Sequence, residues 1–400
     1  MSTGRGRAQP AYQGPYPDGA RRMCAPGLWQ GRTQGEPASD SCFVGNTGTT
    51  ALAQLARSQC HPPYMRLTEP DSPAEPTEMT GMRLRCAVLD DYQNTATGSA
   101  DWTPVQDRVD VVSFTRHLAA EDELADALVG FDIAVTLRER VPFPASLLDR
   151  LPRLKLLVAS GMRNSVIDYA AAERNGVTIC GTESSPTPPV ELTWALLLAL
   201  ARGVVTENDA LRSGGPWQST VGADLHGQRL GLLGLGKIGS RVAQVGLAFG
   251  MEVTAWSQNL TKERADEVGV QLAPAKEDLL RGSDFVSIHL VLGDRTRGLL
   301  GAPELALLKP TAYLVNTSRA ALVDQDALLA ALHEGRIAGA GVDVFDTEPL
   351  PADHPMRTAP RLLATPHLGY VSRNNYLRYY GQAVEDIEAY LAGTPVRLLG

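Results

Sequence analysis

From Arg83 onward, short apolar runs alternate with segments of helical period. Arg83–Leu89 reads as a strand ending at Asp90-Asp91-Tyr92. Val109–Phe114, Ile133–Thr136, Leu154–Val158 and Val177–Ile179 read as further strands. Helical segments at Glu121–Val129, Ala145–Leu151 and Tyr169–Asn175 separate them. This alternation predicts a parallel sheet with helices on both faces. A long helix, Pro189–Arg202, then leads into a second unit. Its strands are Leu230–Leu233, Glu252–Trp256, Phe285–Leu290, Ala312–Asn316, Ala340–Val344 and Arg361–Ala364. Joined by right-handed crossovers, they predict a Rossmann-type sheet. A last helix covers Asn375–Leu391.

The second unit opens with a glycine turn. Leu230–Leu233 stops at Gly234-Leu235-Gly236-Lys237-Ile238-Gly239, and Ile238, Val242, Val245 and Phe249 continue on related faces of a helix. A strand before G-x-G-x-x-G and a helix after it make a dinucleotide-binding candidate. Gly234 would allow the tight turn and Gly236 the approach of a pyrophosphate. Gly239 would let helix and strand pack closely, while free helix N–H groups meet the anion. The plainer alternative is a glycine-rich turn of any α/β sheet.

Residues 1–81 differ from the rest, being rich in Pro, Gly, Ser and Arg without a sustained period. Such a segment is expected to be a disordered extension. Two readings stand for it: a tethering tail, or a start placed too far upstream of Met79 and Met82. The 400-residue chain as a whole has 44% hydrophobic and 20% charged residues, which reads as globular with room for two cores. A net charge of −8 gives no general pull toward nucleic acid or anionic membrane. Cys24, Cys42, Cys60, Cys86 and Cys180 are scattered, so neither a metal site nor a disulfide framework is expected. No apolar run is long enough to span a bilayer, and no signal-peptide core is present. A cytoplasmic location follows as the expectation.

Four motifs close strands of the second unit, where ligands of open α/β sheets bind. Asn316-Thr317-Ser318-Arg319 offers a guanidinium, and Gly341-Val342-Asp343-Val344-Phe345 a carboxylate. Thr347-Glu348-Pro349 offers a second carboxylate, and Thr365-Pro366-His367-Leu368-Gly369 an imidazole. Arg can hold a carboxylate or carbonyl oxygen. A His beside a carboxylate can deliver and recover a proton.

In this order the motifs resemble the D-isomer-specific 2-hydroxyacid dehydrogenase family, which includes phosphoglycerate dehydrogenases and glyoxylate and hydroxypyruvate reductases. The resemblance runs from Arg83 to the C-terminus. It implies two Rossmann-like domains with the active site in the cleft between them. The substrate domain would take residues 82–187 and 368–400, and the coenzyme domain would be inserted as 188–367. The linking helix and the final helix would form the hinge. The resemblance further implies that Arg319 binds the substrate and that Glu348 pairs with His367, the general acid/base. Asp343 would hold the nicotinamide carboxamide. Backbone N–H groups near Ser160, Gly161 and Met162 would hold the substrate carboxylate. Lys237 and Ile238 would present amides to the pyrophosphate, and Thr317 and His289 would lie by the cofactor. For His289, a satisfied histidine at a strand end is the equal alternative. The implied partner is a small 2-oxo or 2-hydroxy acid, and the implied assembly a homodimer through coenzyme domains.

Departures from the family pattern carry the detail. Ser257 ends the second coenzyme strand, where NAD-preferring enzymes usually carry Asp. With Lys262 and Arg264 nearby, NADP becomes as reasonable a cofactor as NAD. Arg163 brings charge into the Ser160–Asn164 loop and would favour a further anionic group if it faces the cleft. Arg138, Arg140 and Tyr92 are second-rank substrate candidates. Ala320-Ala321 stands where glycine is common, a minor change. Two other functions remain in view: a dinucleotide-sensing regulator or corepressor on the same fold, and formate oxidation, against which Glu348 speaks.

Overall fold

The computed structural model describes residues 83–400. The segment read as a disordered extension, with Cys24, Cys42 and Cys60, lies outside the described residues.

Two parallel sheets carry the chain. The first contains β1 (Leu84–Val88), β2 (Val109–Ser113), β3 (Ile133–Thr136), β4 (Leu156–Ala159) and β5 (Thr178–Gly181). Its order is β2-β1-β3-β4-β5, so the direction of winding reverses between β1 and β3. Side chains alternate across it, as the period of a strand requires. Ala87, Ala134 and Leu157 face a core built with the early helices, while Cys86, Val88, Ile133, Val135 and Val158 face the C-terminal helix Arg373–Leu391. That helix returns from the far end of the sequence and buries Tyr379, Tyr380, Ala383 and Ile387 against the sheet. Both faces are covered, which is why these strands read as nearly unbroken apolar runs.

The second sheet contains β6 (Arg229–Leu233), β7 (Glu252–Trp256), β8 (Gln271–Leu272), β9 (Phe285–Ile288), β10 (Tyr313–Asn316), β11 (Gly339–Val342) and β12 (Leu362–Ala364). Its order is β12-β11-β10-β9-β6-β7-β8, all parallel. The reversal falls between β6 and β9, and ligands of such sheets bind at that crevice. The sheet has seven strands where the sequence pattern predicted six. The extra one, β8, is two residues long and half polar, too short to register as an apolar run.

The linking helix begins at Thr187, two residues earlier than predicted, because Pro188 and Pro189 fit its first turn. It ends at Gly203, whose φ of 59° is left-handed. A second helix, Val204–Arg212, departs at 63° and was not foreseen. It buries no residue, so it carries none of the apolar period that marks a core helix. Among the described residues no single helix is long and apolar enough to cross a membrane.

The chain passes between the lobes twice, near 182–189 and near 365–373. The first passage is tied to the C-terminal helix that follows the second. Ser185 N donates to Asn375 Oδ1 at 3.1 Å, Glu183 N to Gln382 Oε1 at 2.7 Å, and the Ser184 and Tyr379 hydroxyls meet at 2.9 Å.

The Tyr380 side chain is fully buried and its hydroxyl has no hydrogen-bond partner. A buried hydroxyl without a partner costs roughly 1–3 kcal/mol. Tyr380→Phe should therefore leave stability unchanged or raise it by about 1 kcal/mol. Tyr380→Ala should lower it by about 3–5 kcal/mol. Urea unfolding of both variants checks the pair.

Candidate active site

The glycine turn places three glycines in three different surroundings. Gly234 has φ 104°, and a Cβ there would lie 2.5 Å from the His289 carbonyl oxygen. At Gly239 a Cβ would lie 2.1 Å from the Gly234 carbonyl oxygen, so only glycine lets this helix meet its strand. At Gly236 a Cβ would meet nothing within 4 Å. Gly236 thus borders open space at the start of helix Lys237–Ala248. The first amides of that helix, at Lys237, Ile238 and Gly239, lack intrahelical acceptors and suit an anion. His289 lies across the turn, with its N–H donating to Leu233 O at 2.7 Å and its Nε2 2.9 Å from Ser287 Oγ. Its Nδ1 is buried without a partner. Burial pushes the imidazole down to about 4, so it is neutral at physiological pH. An open phosphate-sized approach, unpaired amides and an orphaned ring nitrogen fit a dinucleotide.

Lys237, Ile238, His289, Thr317, Arg319 and His367 line one cleft of about 970 Å³ between the lobes. Thr317 is fixed by Thr193 of the linking helix, their hydroxyls 2.8 Å apart. Ser257 follows β7 directly and does not line this cleft. Of its basic neighbours, Lys262 turns to Asp266 at 2.7 Å. Arg264 pairs with Glu267 at 2.9 Å, and its other Nη donates to Ser240 Oγ at 2.9 Å where it borders the cleft.

Further along, β11 delivers Asp343 and the loop after it delivers Glu348. Glu348 Oε2 lies 2.6 Å from His367 Nδ1, and Glu348 Oε1 accepts from Phe345 N at 2.9 Å. Burial opposes ionisation of this carboxyl. The hydrogen bond and charge of His367 outweigh it and hold Glu348 below the ordinary carboxylate range. His367 has φ 54°, uncommon for a residue with a side chain. Asp343 maintains that conformation. It is fully buried, and its carboxylate accepts from Thr365 Oγ1 at 2.6 Å, Leu368 N at 2.6 Å and Gly369 N at 2.8 Å. Burial raises its pKa. The residue assigned by resemblance to the nicotinamide carboxamide is thus turned inward, where it anchors the segment on both sides of His367.

Arg319 follows β10, its carbonyl held by Asn316 Nδ2 at 2.9 Å. Its guanidinium reaches the other lobe and meets both oxygens of Glu139, at 3.1 and 3.0 Å. Glu139 sits between Arg138 and Arg140 just after β3, at the reversal point of the first sheet. The sequence reading singled out both arginines and passed over the carboxylate between them. Alternating charge at the carboxyl end of a parallel strand was the available signal.

The loop after β4 is arranged differently from expectation. Ser160 N donates to Thr136 O and Gly161 N to Thr182 Oγ1, so these amides are engaged within their own lobe. Arg138 Nη1 lies over them, donating to Ser160 O at 3.2 Å, and a Cβ on Gly161 would come within 2.4 Å of it. Ser160 and Gly161 are buried and Met162 is exposed, and none of the three lines the cleft, whereas Arg163 does. The positive charge that reaches the cleft from this side therefore comes from Arg138 and Arg163. Arg140 lies on the other side of His367, donating to the Tyr370 phenol oxygen at 2.6 Å and to the His367 carbonyl at 3.4 Å, with its guanidinium 5.4 Å from the Tyr92 and Tyr370 rings.

A glycine-turn dinucleotide cradle beside an Arg and a carboxylate-paired His defines a dinucleotide-dependent oxidoreductase. Comparison with known proteins places it further. Residues 194–369 match the family model described as D-isomer specific 2-hydroxyacid dehydrogenase, NAD binding domain. The chain is 41% identical over 256 residues to a glyoxylate reductase of Aeropyrum pernix, covering 62% of this chain and 76% of that protein. It is 35% identical over 280 residues to D-3-phosphoglycerate dehydrogenase of Bacillus subtilis, covering 69% of this chain and 52% of that protein. Among solved structures, phosphoglycerate oxidoreductase from Vibrio cholerae aligns with a TM-score of 0.74 and 37% identity, covering 78% of this chain and 99% of that one. The chain belongs to the D-isomer-specific 2-hydroxyacid dehydrogenase family and is an NAD(P)-dependent oxidoreductase of 2-hydroxy and 2-oxo acids.

The two glycines should separate binding from folding. Gly236→Ala, at φ −79°, should fold with an unchanged melting temperature and bind dinucleotide at least about tenfold more weakly. Gly239→Ala should lower the melting temperature itself. Thermal unfolding and NADH fluorescence titration of both variants read the contrast.

Proposed function

We propose that the protein reduces a 2-oxo acid to the D-2-hydroxy acid, reversibly, with Arg319 holding the substrate and His367 as general acid/base. The observation that carries this is the 2.6 Å contact of His367 Nδ1 with Glu348, on a histidine that lines the same cleft as Arg319. A carboxylate on Nδ1 selects the tautomer and steadies the imidazolium, leaving Nε2 for the substrate oxygen. The dinucleotide, when bound, supplies or accepts a hydride. Arg319 polarises the carbonyl and holds the carboxylate, and His367 gives the proton that the carbonyl oxygen takes up. Glu348 holds the His367 ring in the orientation that presents Nε2 to the cleft.

Ser257 in place of an acidic residue, with Arg264 beside the fingerprint helix, supports use of NADPH as well as NADH. A panel of glyoxylate, hydroxypyruvate and 3-phosphohydroxypyruvate, run with each cofactor, tests substrate and coenzyme together. His367→Ala should lose roughly 10²–10⁴-fold in turnover while still binding dinucleotide. Full activity in that variant would overturn the mechanism. Ser257→Asp should shift preference toward NADH, and no shift would remove this residue from coenzyme choice.

The functional unit in this reading is a homodimer. Helix Val204–Arg212 and the following loop expose Val204, Val205, Leu211, Trp217 (81% accessible) and Val221. Five exposed apolar side chains on one helix and the loop after it suit burial against a second copy of the chain. Wild-type protein should elute as a dimer in size exclusion with light scattering, and Trp217→Glu with Val221→Glu as a monomer. A monomeric wild type would refute the assembly.

A further inference from the structure

Arg319 is not free to receive a substrate. Its guanidinium already holds Glu139 from the opposite lobe, at 3.0 and 3.1 Å, and the pair is largely sheltered from water, with 34% and 20% side-chain exposure. Glu139 has a second cation within reach: Arg138 Nη2 stands 3.8 Å from Glu139 Oε2. Burial would raise the carboxyl of Glu139, but Arg138 and Arg319 keep it below the ordinary range, so it is a carboxylate at neutral pH. The loop bearing it is rigidly held. Arg138 has φ 56°, its N–H donates to Ser160 Oγ at 2.7 Å, and its carbonyl accepts from Asn164 Nδ2 at 3.0 Å.

Two guanidiniums and one carboxylate leave one positive charge over. An incoming monocarboxylate cancels it. The four charges then alternate, substrate on Arg319 and Glu139 on Arg138, with no buried charge left unpaired. We propose that Glu139 is a specificity-determining residue that occupies Arg319 in the free enzyme and transfers to Arg138 when a substrate carboxylate binds. This rests on the reading of Arg319 as the substrate anchor. The consequence is a raised binding threshold, because only the fraction of molecules with Arg319 released is competent to bind. A ligand that lacks a carboxylate to exchange does not release Arg319.

The test uses oxamate, an unreactive monocarboxylate with a neighbouring carbonyl, titrated calorimetrically into the full chain with NADH. Arg319→Ala should abolish oxamate binding. Glu139→Gln should tighten it on the order of tenfold, and KM for the best 2-oxo acid should fall by more than kcat changes. Glu139→Ala should act in the same direction. Arg138→Gln removes the receiving partner and should weaken oxamate binding in wild type but not in the Glu139→Gln background. Unchanged or weaker oxamate binding in Glu139→Gln overturns the exchange, as does an Arg138→Gln effect that persists without the carboxylate. Oxamate bound equally by wild type and Arg319→Ala would instead show that Arg319 is not the anchor, and both readings would fall.

Discussion

The buried carboxylate of Asp343 is the interaction on which the site depends. A carboxylate withdrawn from water must find donors, and three converge on it from Thr365, Leu368 and Gly369. Those donors flank His367, so desolvation of one residue fixes the backbone of another. The segment can then carry a side chain at positive φ, a strained conformation that persists only where its surroundings over-determine it. Glu348 meets His367 because β11 supplies Asp343 and the next loop returns to the same place.

Much of this was legible in the sequence because parallel sheets buried on both faces write themselves as apolar runs. β1, β3 and β7 appear almost where the pattern put them. The motifs at Arg319, Glu348 and His367 were legible too, since each follows a strand whose carboxyl end opens on the crevice. Helix Val204–Arg212 was not, because its apolar residues contact no core. The inward turn of Asp343 was also hidden. A carboxylate in a motif looks the same whether it faces ligand or backbone, and only the positions of Leu368 and Gly369 decide between them.

Charge inside the cleft depends on the meeting of two strand ends. Arg138-Glu139-Arg140 follows β3 and Arg319 follows β10, so residues 180 positions apart form one ion pair. Sequence proximity reveals the Arg138–Glu139 neighbourhood but not its partner across the gap. The covering of Ser160 and Gly161 by Arg138 has the same origin: a side chain from one strand end lies over the backbone of the next.

The paired passages of the chain between lobes also have a mechanical meaning. The first connection is laced through Ser185–Asn375, Glu183–Gln382 and Ser184–Tyr379 to the helix into which the second connection runs, so both connections are anchored on that one helix. Arg319 and Glu139 face each other across the gap that these connections span, so their ion pair is a third, non-covalent tie between the lobes.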